Sequence, residues 1–327
     1  MESFTNLSEQ MEVQDIVQEV KQEIQSFREK NPDGVVVIRG ATATGKSKLS
    51  ILLSAYFDTE IISADSRQIF RYMNIGTDKV PEEVLKQLPH HEINIVDPDQ
   101  RYTAGQWQKN TIAHIADIQK RGKLPMIVGG TGLYIDTIYK NFTMPESKPD
   151  YLLRNELFAK EAKEPGYLHR ELTKLDPEEA SKLHPNSTRY VVRALEIFHT
   201  TGKTKTESFV QQPVQRPLLM IGLRRDKEET NKRINTRIKD MLKEGLIAEV
   251  QGLLDRGFTK ELQSMQGIGY KEVVDFLDGK YDMRGLEEAM KVHTHQLAKK
   301  QRSRFRRYIA EGKQTPKIGV TYKLFEL

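Results

Sequence analysis

A chain of 327 residues is long enough for two compact units, each burying its own core. Hydrophobic residues make up 37% and charged residues 30%, and no apolar run approaches the roughly 18 residues of a membrane span, so a membrane protein is excluded and a cytoplasmic one expected. The chain has no cysteine, which removes disulfide frameworks, thiolate metal sites and a cysteine nucleophile, while the net charge of +5 is spread unevenly enough to bear on partners.

The first 33 residues carry eight acids against Lys21, Arg28 and Lys30, and nothing in them reads as a signal or transit peptide. Val13, Ile16, Val17, Val20, Ile24 and Phe27 recur at steps of three and four, which predicts an amphipathic helix over 11–29 in an acidic extension, 1–33. Its apolar stripe needs cover, either on the core or on a second copy. Asn31-Pro32-Asp33-Gly34 breaks that helix. The run Val35-Val36-Val37-Ile38 then predicts a strand buried on both faces. A glycine-rich loop follows at once, and residues 48–56 continue as a helix. Further strands are predicted at 60–63, 124–128 and 218–223, with helical pattern between the second and third. This alternation predicts an α/β fold, a doubly wound parallel sheet of the P-loop type with helices on both faces.

The character changes from Phe142 onward, where Pro145, Pro149, Pro165, Pro177 and Pro185 punctuate helical stretches and no strong strand run appears before Leu218. The predicted organisation is a core from 34–141 and 210–327 carrying an inserted helical domain, 142–209. Residues 226–310 are almost all helix formers, with Gly267 and Gly269 marking a break. Within them begins a basic segment, 291–317: Lys291, Lys299, Lys300, Arg302, Arg304, Arg306, Arg307, Lys313 and Lys317 against Glu311 alone. Two readings stand for this cluster, a solvated helix face and a surface for a polyanion.

Gly40-Ala41-Thr42-Ala43-Thr44-Gly45-Lys46-Ser47 fits G-x-x-x-x-G-K-[ST] between a buried strand and a helix, the context that gives the motif its meaning. The glycines let successive backbone N–H groups point into one concavity at a helix N-terminus, where the dipole adds positive potential. Lys46 would neutralise phosphate oxygens and the Ser47 hydroxyl would join a Mg²⁺ shell. Such a loop ordinarily binds ATP, yet a phosphoryl-transfer enzyme usually also offers an acid at the end of a second apolar strand. Here the third strand ends Val128-Gly129-Gly130-Thr131-Gly132 without a carboxylate. The strand after the loop instead runs into Ser63-Ala64-Asp65, at the carboxyl end of the sheet where ligands bind. Asp65 is the candidate general base, with a helix N-cap as its other reading. Trp107 and Tyr134 have rings suited to stacking on bases, though burial in the core is the commoner use of such rings. His90 and His91 show no metal-ligand spacing with another His or acid and read as structural or polar contacts.

From residue 35 to about 307 the sequence resembles the tRNA dimethylallyltransferases, or tRNA isopentenyltransferases, of the bacterial type. Besides the P-loop, the resemblance rests on Ala64-Asp65-Ser66-Arg67-Gln68 with Asn74-Ile75-Gly76-Thr77, Tyr102-Thr103-Ala104-Gly105-Gln106 and Val128-Gly129-Gly130-Thr131-Gly132-Leu133-Tyr134. It continues in Arg193-Ala194-Leu195-Glu196, Gln266-Gly267-Ile268-Gly269-Tyr270-Lys271 and Gln296-Leu297-Ala298-Lys299-Lys300-Gln301. The resemblance implies a P-loop α/β core with an inserted helical domain. It also implies a Mg²⁺-dependent reaction in which dimethylallyl diphosphate lies on residues 40–47 and the N6 of an adenine 3′ to the anticodon attacks its C1, without ATP hydrolysis.

On the same grounds Asp65 would take the N6 proton, Ser47 would hold Mg²⁺ and Arg237 would bind the diphosphate; from sequence alone Arg237 reads equally as a surface charge on a helix. The resemblance further implies tRNA contacts at Asp65, Ser66, Arg67, Gln68, Thr131, Arg154, Arg189, Arg193, Gln266, Gly267, Ile268, Gly269, Tyr270, Lys271, Gln296, Lys299 and Lys300. The partners implied are a tRNA anticodon stem-loop and dimethylallyl diphosphate, with a monomer acting on an adenine flipped into a pocket. Three departures stand out: Ala41 replaces the usual Pro, Arg189-Tyr190 stands for Gln-Arg, and Ser303-Arg304-Phe305-Arg306 for Thr-Trp-Phe-Arg. Competing readings are an adenylate isopentenyltransferase acting on AMP, ADP or ATP, an ATP-dependent small-molecule kinase, and an RNA-binding protein using the loop as a nucleotide switch. The basic segment argues against the first, the missing strand-end acid against the second and Asp65 beside the loop against the third.

Overall fold

The computed structural model describes residues 2–144, 149–314 and 319–327; Pro145 and Lys317, and the side chains of Val13, Lys313 and Glu311, lie outside what is described. By its internal contacts the chain forms two compact units, Met1–Tyr139 with Val214–Leu327, and Lys140–Pro213. No described helix is long and apolar enough to cross a membrane.

The larger unit is built on one six-stranded parallel sheet. Its strands are β1 (Val35–Gly40), β2 (Thr59–Ala64), β3 (His90–His91), β4 (Leu124–Gly129), β5 (Leu218–Arg224) and β6 (Val320–Glu326), in the order β3-β2-β4-β1-β5-β6. The α/β parallel-sheet expectation holds, with each of the four predicted strands extended by one or two residues. β3 and β6 were not foreseen. β3 is too short for any periodic signal, and β6 lies past a long polar helix at the far edge, paired in full register with β5 from Leu218↔Val320 to Arg224↔Glu326.

Side chains alternate across the sheet and both faces are dry. Val36, Ile38, Ile61, Met126, Leu219 and Ile221 face the helices Glu2–Lys30 and Lys46–Leu53, while Val35, Val37, Ile62, Ile127, Leu218 and Met220 face Ala104–Lys120, Gly132–Tyr139 and the rings of Phe305 and Tyr308. The N-terminal stripe finds its cover on the core: Val17, Val20, Ile24 and Phe27 are buried in the first of these layers. The helix carrying them begins well before residue 11.

A further apolar layer joins the helices Lys227–Glu244, Leu246–Asp255 and Tyr270–Leu277 through Ile234, Ile238, Leu246, Val250, Tyr270 and Val273, and also holds Ala41, Ile69, Phe70 and Met73 from the loops after β1 and β2. That layer positions the site, because it fixes Lys227–Glu244 beside the P-loop. The smaller unit is helical, with Leu157, Leu168, Leu172, Val191, Val192 and Leu195 forming its own core.

Candidate active site

β1 delivers the chain to Gly40, where a Cβ would stand 2.7 Å from Thr44 Oγ1 and 2.8 Å from the Leu223 carbonyl, so only glycine fits. Gly45, at φ 89°, is left-handed and opens the helix Lys46–Leu53. Between them the loop folds on itself: Thr44 Oγ1 and Lys46 Nζ both donate to the Ala41 carbonyl, at 2.9 and 2.7 Å. Burial of the Lys46 ammonium pushes its pKa down to about 8, with Asp65 opposing the shift and Arg237 adding to it. Ala41, in place of the proline, is buried in the apolar layer described above, and its carbonyl is the acceptor on which the loop closes.

β2 and β4 end side by side, and the loops leaving the two strands complete the site. A Cβ on Gly129 would fall 2.2 Å from the Ala64 carbonyl oxygen, so this glycine lets the two strand ends touch. Thr131 N donates to the Ala64 carbonyl at 2.9 Å, and Thr131 Oγ1 accepts from Ser66 N at 3.0 Å. Asp65 therefore leaves the sheet at a fixed point. Its Oδ1 accepts from Arg67 N at 2.9 Å, closing a turn and not a helix, which corrects the N-cap reading. Trp107 and Tyr134, stacked 4.6 Å apart, are core rings with 0% and 4% exposure, and the Trp107 indole donates to the Ser63 carbonyl just before Asp65.

Two side chains from the helix Lys227–Glu244 reach the loop. Arg233 Nε donates to the Ala43 carbonyl at 3.2 Å and Arg237 Nη1 to Thr42 Oγ1, also at 3.2 Å. Arg237 is thus a cleft residue and not a surface charge. Gln301, on the helix Met283–Gln314, bridges the two loops: its Oε1 accepts from Thr42 N at 2.8 Å and its Nε2 donates to the Gly130 carbonyl at 3.0 Å. In the sequence Gln301 stands within a family motif with no role of its own, and no pattern there marks Asp78, whose carboxylate lies 2.9 Å from Arg237 Nη1. Arg233, Gln301 and Asp78 lie far from the P-loop in sequence, so local spacing does not connect them to it.

These residues line one cleft of about 1690 Å³ that holds Lys46, Ser47, Asp65, Thr131 and Arg237 together. Ser66, Arg67, Gln68, Gln266, Ile268, Gly269 and Lys300 line it too. Arg67 is tied to the Gln263 carbonyl at 2.9 Å, and burial lowers its pKa. Gln296, Lys299 and Lys271 are exposed.

Tyr270 departs from the surface-contact expectation: it is 1% exposed, donates to Glu249 Oε1 at 2.6 Å and packs beneath Gly76, so it supports the cleft from inside. Gly267 and Gly269 are buried with it. In the smaller unit Arg154 forks onto Glu196 with contacts of 2.7 and 2.8 Å, Arg193 joins the same carboxylate, and Arg189 is exposed. Glu196 is fully buried, so the two arginines serve first to neutralise it.

Among the described residues no group of three or more His, Asp or Glu side chains converges as a metal cage. His90 and His91 form β3 and make polar contacts, His91 Nε2 lying 2.8 Å from Glu60 Oε2. A single exposed hydroxyl at Ser47, with Asp65 in the same cleft, suits a Mg²⁺ ion that arrives on a diphosphate and keeps several waters. The arrangement can bind a phosphorylated group on the loop, draw off a proton at Asp65, and favour departure of an anion toward Lys46 and Arg237.

Comparison with known proteins points the same way. The family model described as IPP transferase matches residues 68–308. The chain is 43% identical over 283 residues to the tRNA dimethylallyltransferase of Pelotomaculum thermopropionicum, covering 86% of this chain and 90% of that one. It is 41% identical over 300 residues to the tRNA dimethylallyltransferase of Bacillus licheniformis, covering 90% and 95%. Among solved structures it is similar to the full-length tRNA isopentenylpyrophosphate transferase of Bacillus halodurans, with 37% identity, 90% of each chain covered and a TM-score of 0.63. A eukaryotic dimethylallyltransferase acting on tRNA gives 33% identity and a TM-score of 0.73 over 90% of this chain and 73% of that one. With a family model matched over most of its length and relatives this similar over most of theirs, the chain belongs to the IPP transferase family.

Proposed function

We propose that this protein transfers the dimethylallyl group of dimethylallyl diphosphate to N6 of adenine 37, next to the anticodon, in tRNAs that read UNN codons. One observation carries the reading: a P-loop with Lys46 and Arg237 shares its cleft with Asp65, while β4 ends in glycines with no carboxylate of the kind phosphoryl transfer uses. The neutral N6 amine attacks C1, the C1–O bond breaks with its electron pair leaving on the diphosphate, and Asp65 accepts the N6 proton. Lys46, the loop N–H groups and the Arg237 fork stabilise the charge that grows on the leaving group. Mg²⁺, held at Ser47 and the diphosphate, would add further neutralisation there.

The acceptor side rests on Ser66, Arg67, Gln68, Thr131 and Gln266, which line the same cleft, and on the exposed Lys299, Lys300, Arg306 and Arg307, suited to a phosphate backbone. A flipped base meets the reacting carbon only if both lie in one cavity, and the volume here suits that. One chain supplies the P-loop, Asp65 and Arg237 together, which supports a monomer, and tRNA as acceptor supports a cytoplasmic enzyme.

The test is transfer from labelled dimethylallyl diphosphate, with Mg²⁺, to an unmodified tRNA with adenines at positions 36–38, with AMP and ATP tested in parallel. Label in tRNA alone is the expected outcome. Label in AMP or ATP would move the assignment to free-nucleotide prenylation and leave the basic helix face without a partner.

A further inference from the structure

Asp78 lies in the donor cleft, yet nothing in the transfer reaction calls for it. Its carboxylate is 2.9 Å from Arg237 Nη1, the same nitrogen that donates to Thr42 of the P-loop. It also interacts with Lys46. The two side chains expected to receive the diphosphate are therefore both engaged with the protein's own groups: Lys46 with the Ala41 carbonyl and Arg237 with Asp78.

The backbone around Asp78 is held from several sides. Glu249 accepts from the N–H groups of Asn74, Ile75 and Gly76, Gln68 Nε2 donates to the carbonyls of Thr77 and Asp78, and Lys79 Nζ bonds the Phe70 carbonyl. Asp78 itself is left-handed at φ 52°, a conformation that Asp tolerates and most residues do not. Its side chain, by contrast, is 55% exposed in the cleft, so the backbone is pinned and the side chain is able to turn away.

We propose that Asp78 is a built-in counter-anion: it occupies Arg237 until a diphosphate displaces it, and so sets the minimum charge an anion must bring to enter the donor site. A diphosphate reaches Arg237 and Lys46 at once and outcompetes one carboxylate, whereas a single phosphate group gains less from the exchange. The device holds down the resting affinity of the site for every anion that needs Arg237, and keeps the guanidinium aimed at the loop between turnovers. Removing the carboxylate raises affinity, the opposite of what deleting a binding residue does.

This inference rests on the donor reading above, and titration calorimetry separates the two. Inorganic diphosphate and orthophosphate are titrated into wild type, Asp78→Asn and Asp78→Ala, in Mg²⁺-free buffer and again with Mg²⁺, alongside thermal melts of each protein. The expected result is diphosphate binding about tenfold tighter in both variants without Mg²⁺ and a gain no larger for orthophosphate, as for release of one competing ion pair. Equal or weaker diphosphate binding in a folded variant, with wild type binding normally, overturns the inference and leaves the donor reading standing. Weakening seen only with Mg²⁺ also overturns it, by making Asp78 a metal ligand. If neither wild type nor variants bind diphosphate, the donor reading fails and the inference with it.

Discussion

Lys46 carries a consequence in its titration. Burial places its pKa at about 8, below the ordinary lysine range, so in the free protein the ammonium begins to lose its proton just above neutrality. A bound diphosphate stabilises the charged form and raises that value. Affinity for diphosphate is therefore steady below pH 8 and falls as pH rises through it, by up to tenfold per unit until the bound-state value is reached. Calorimetry with inorganic diphosphate from pH 7 to 9.5 checks this, with Lys46→Met expected to bind weakly and to lose the dependence. At this scale the sequence was most informative where chemistry demands one residue at one spacing: the loop 40–47, Asp65 and Arg237 all meet in the cleft. Residues whose importance comes from tertiary reach, Gln301 between two loops and Asp78 on Arg237, carry no such spacing, and their roles are visible only in the folded chain.

The N-terminal helix shows what an element adds to a sheet already built for binding. Ile24 is 0% exposed and packs with Val36, Ile38 and Leu53, the strand and helix that flank the P-loop. The helix is held at its rim as well, by Lys323 on Glu23 at 2.7 Å and Lys21 over the Tyr56 ring. Ile24→Ala should cost about 2–4 kcal/mol, seen as a lower denaturant midpoint at unchanged slope; a loss under about 1 kcal/mol would mean that the helix lies on the sheet without being part of the core. Its stripe was legible because helical periodicity is a local signal, whereas its start was not, since residues 2–10 hold only Phe4 and Leu7 among polar residues, too sparse a pattern to mark it. β6 escaped for a related reason. Its residues Val320, Tyr322 and Phe325 are half-buried while Leu324 is exposed, and seven residues with so broken a pattern after a long polar helix say little until β5 is seen to have a free edge.

In the molecule as a whole, charge is divided between a donor cleft that handles a compact anion and an exposed helix face that suits an extended one. Lys299 and Lys300 project from the helix whose Gln301 bridges the P-loop to Gly130, so acceptor grip and donor loop share one rigid element. Replacing both lysines with Gln should weaken binding of an anticodon stem-loop and make the plot of log affinity against log salt shallower by about 1 to 2; an unchanged slope would place the phosphates elsewhere.

Asn at position 65 is the sharpest probe of Asp65 as the group that takes the proton. Asn keeps an oxygen for Arg67 N, so the turn that fixes residue 65 survives. Single-turnover transfer from dimethylallyl diphosphate to tRNA, with affinities for both substrates measured beside it, should show Asp65→Asn slowed by roughly 10²–10⁴ while both affinities stay within about twofold. A rate close to wild type, or a loss explained entirely by weaker binding, would contradict a general-base role for Asp65 and with it the central claim.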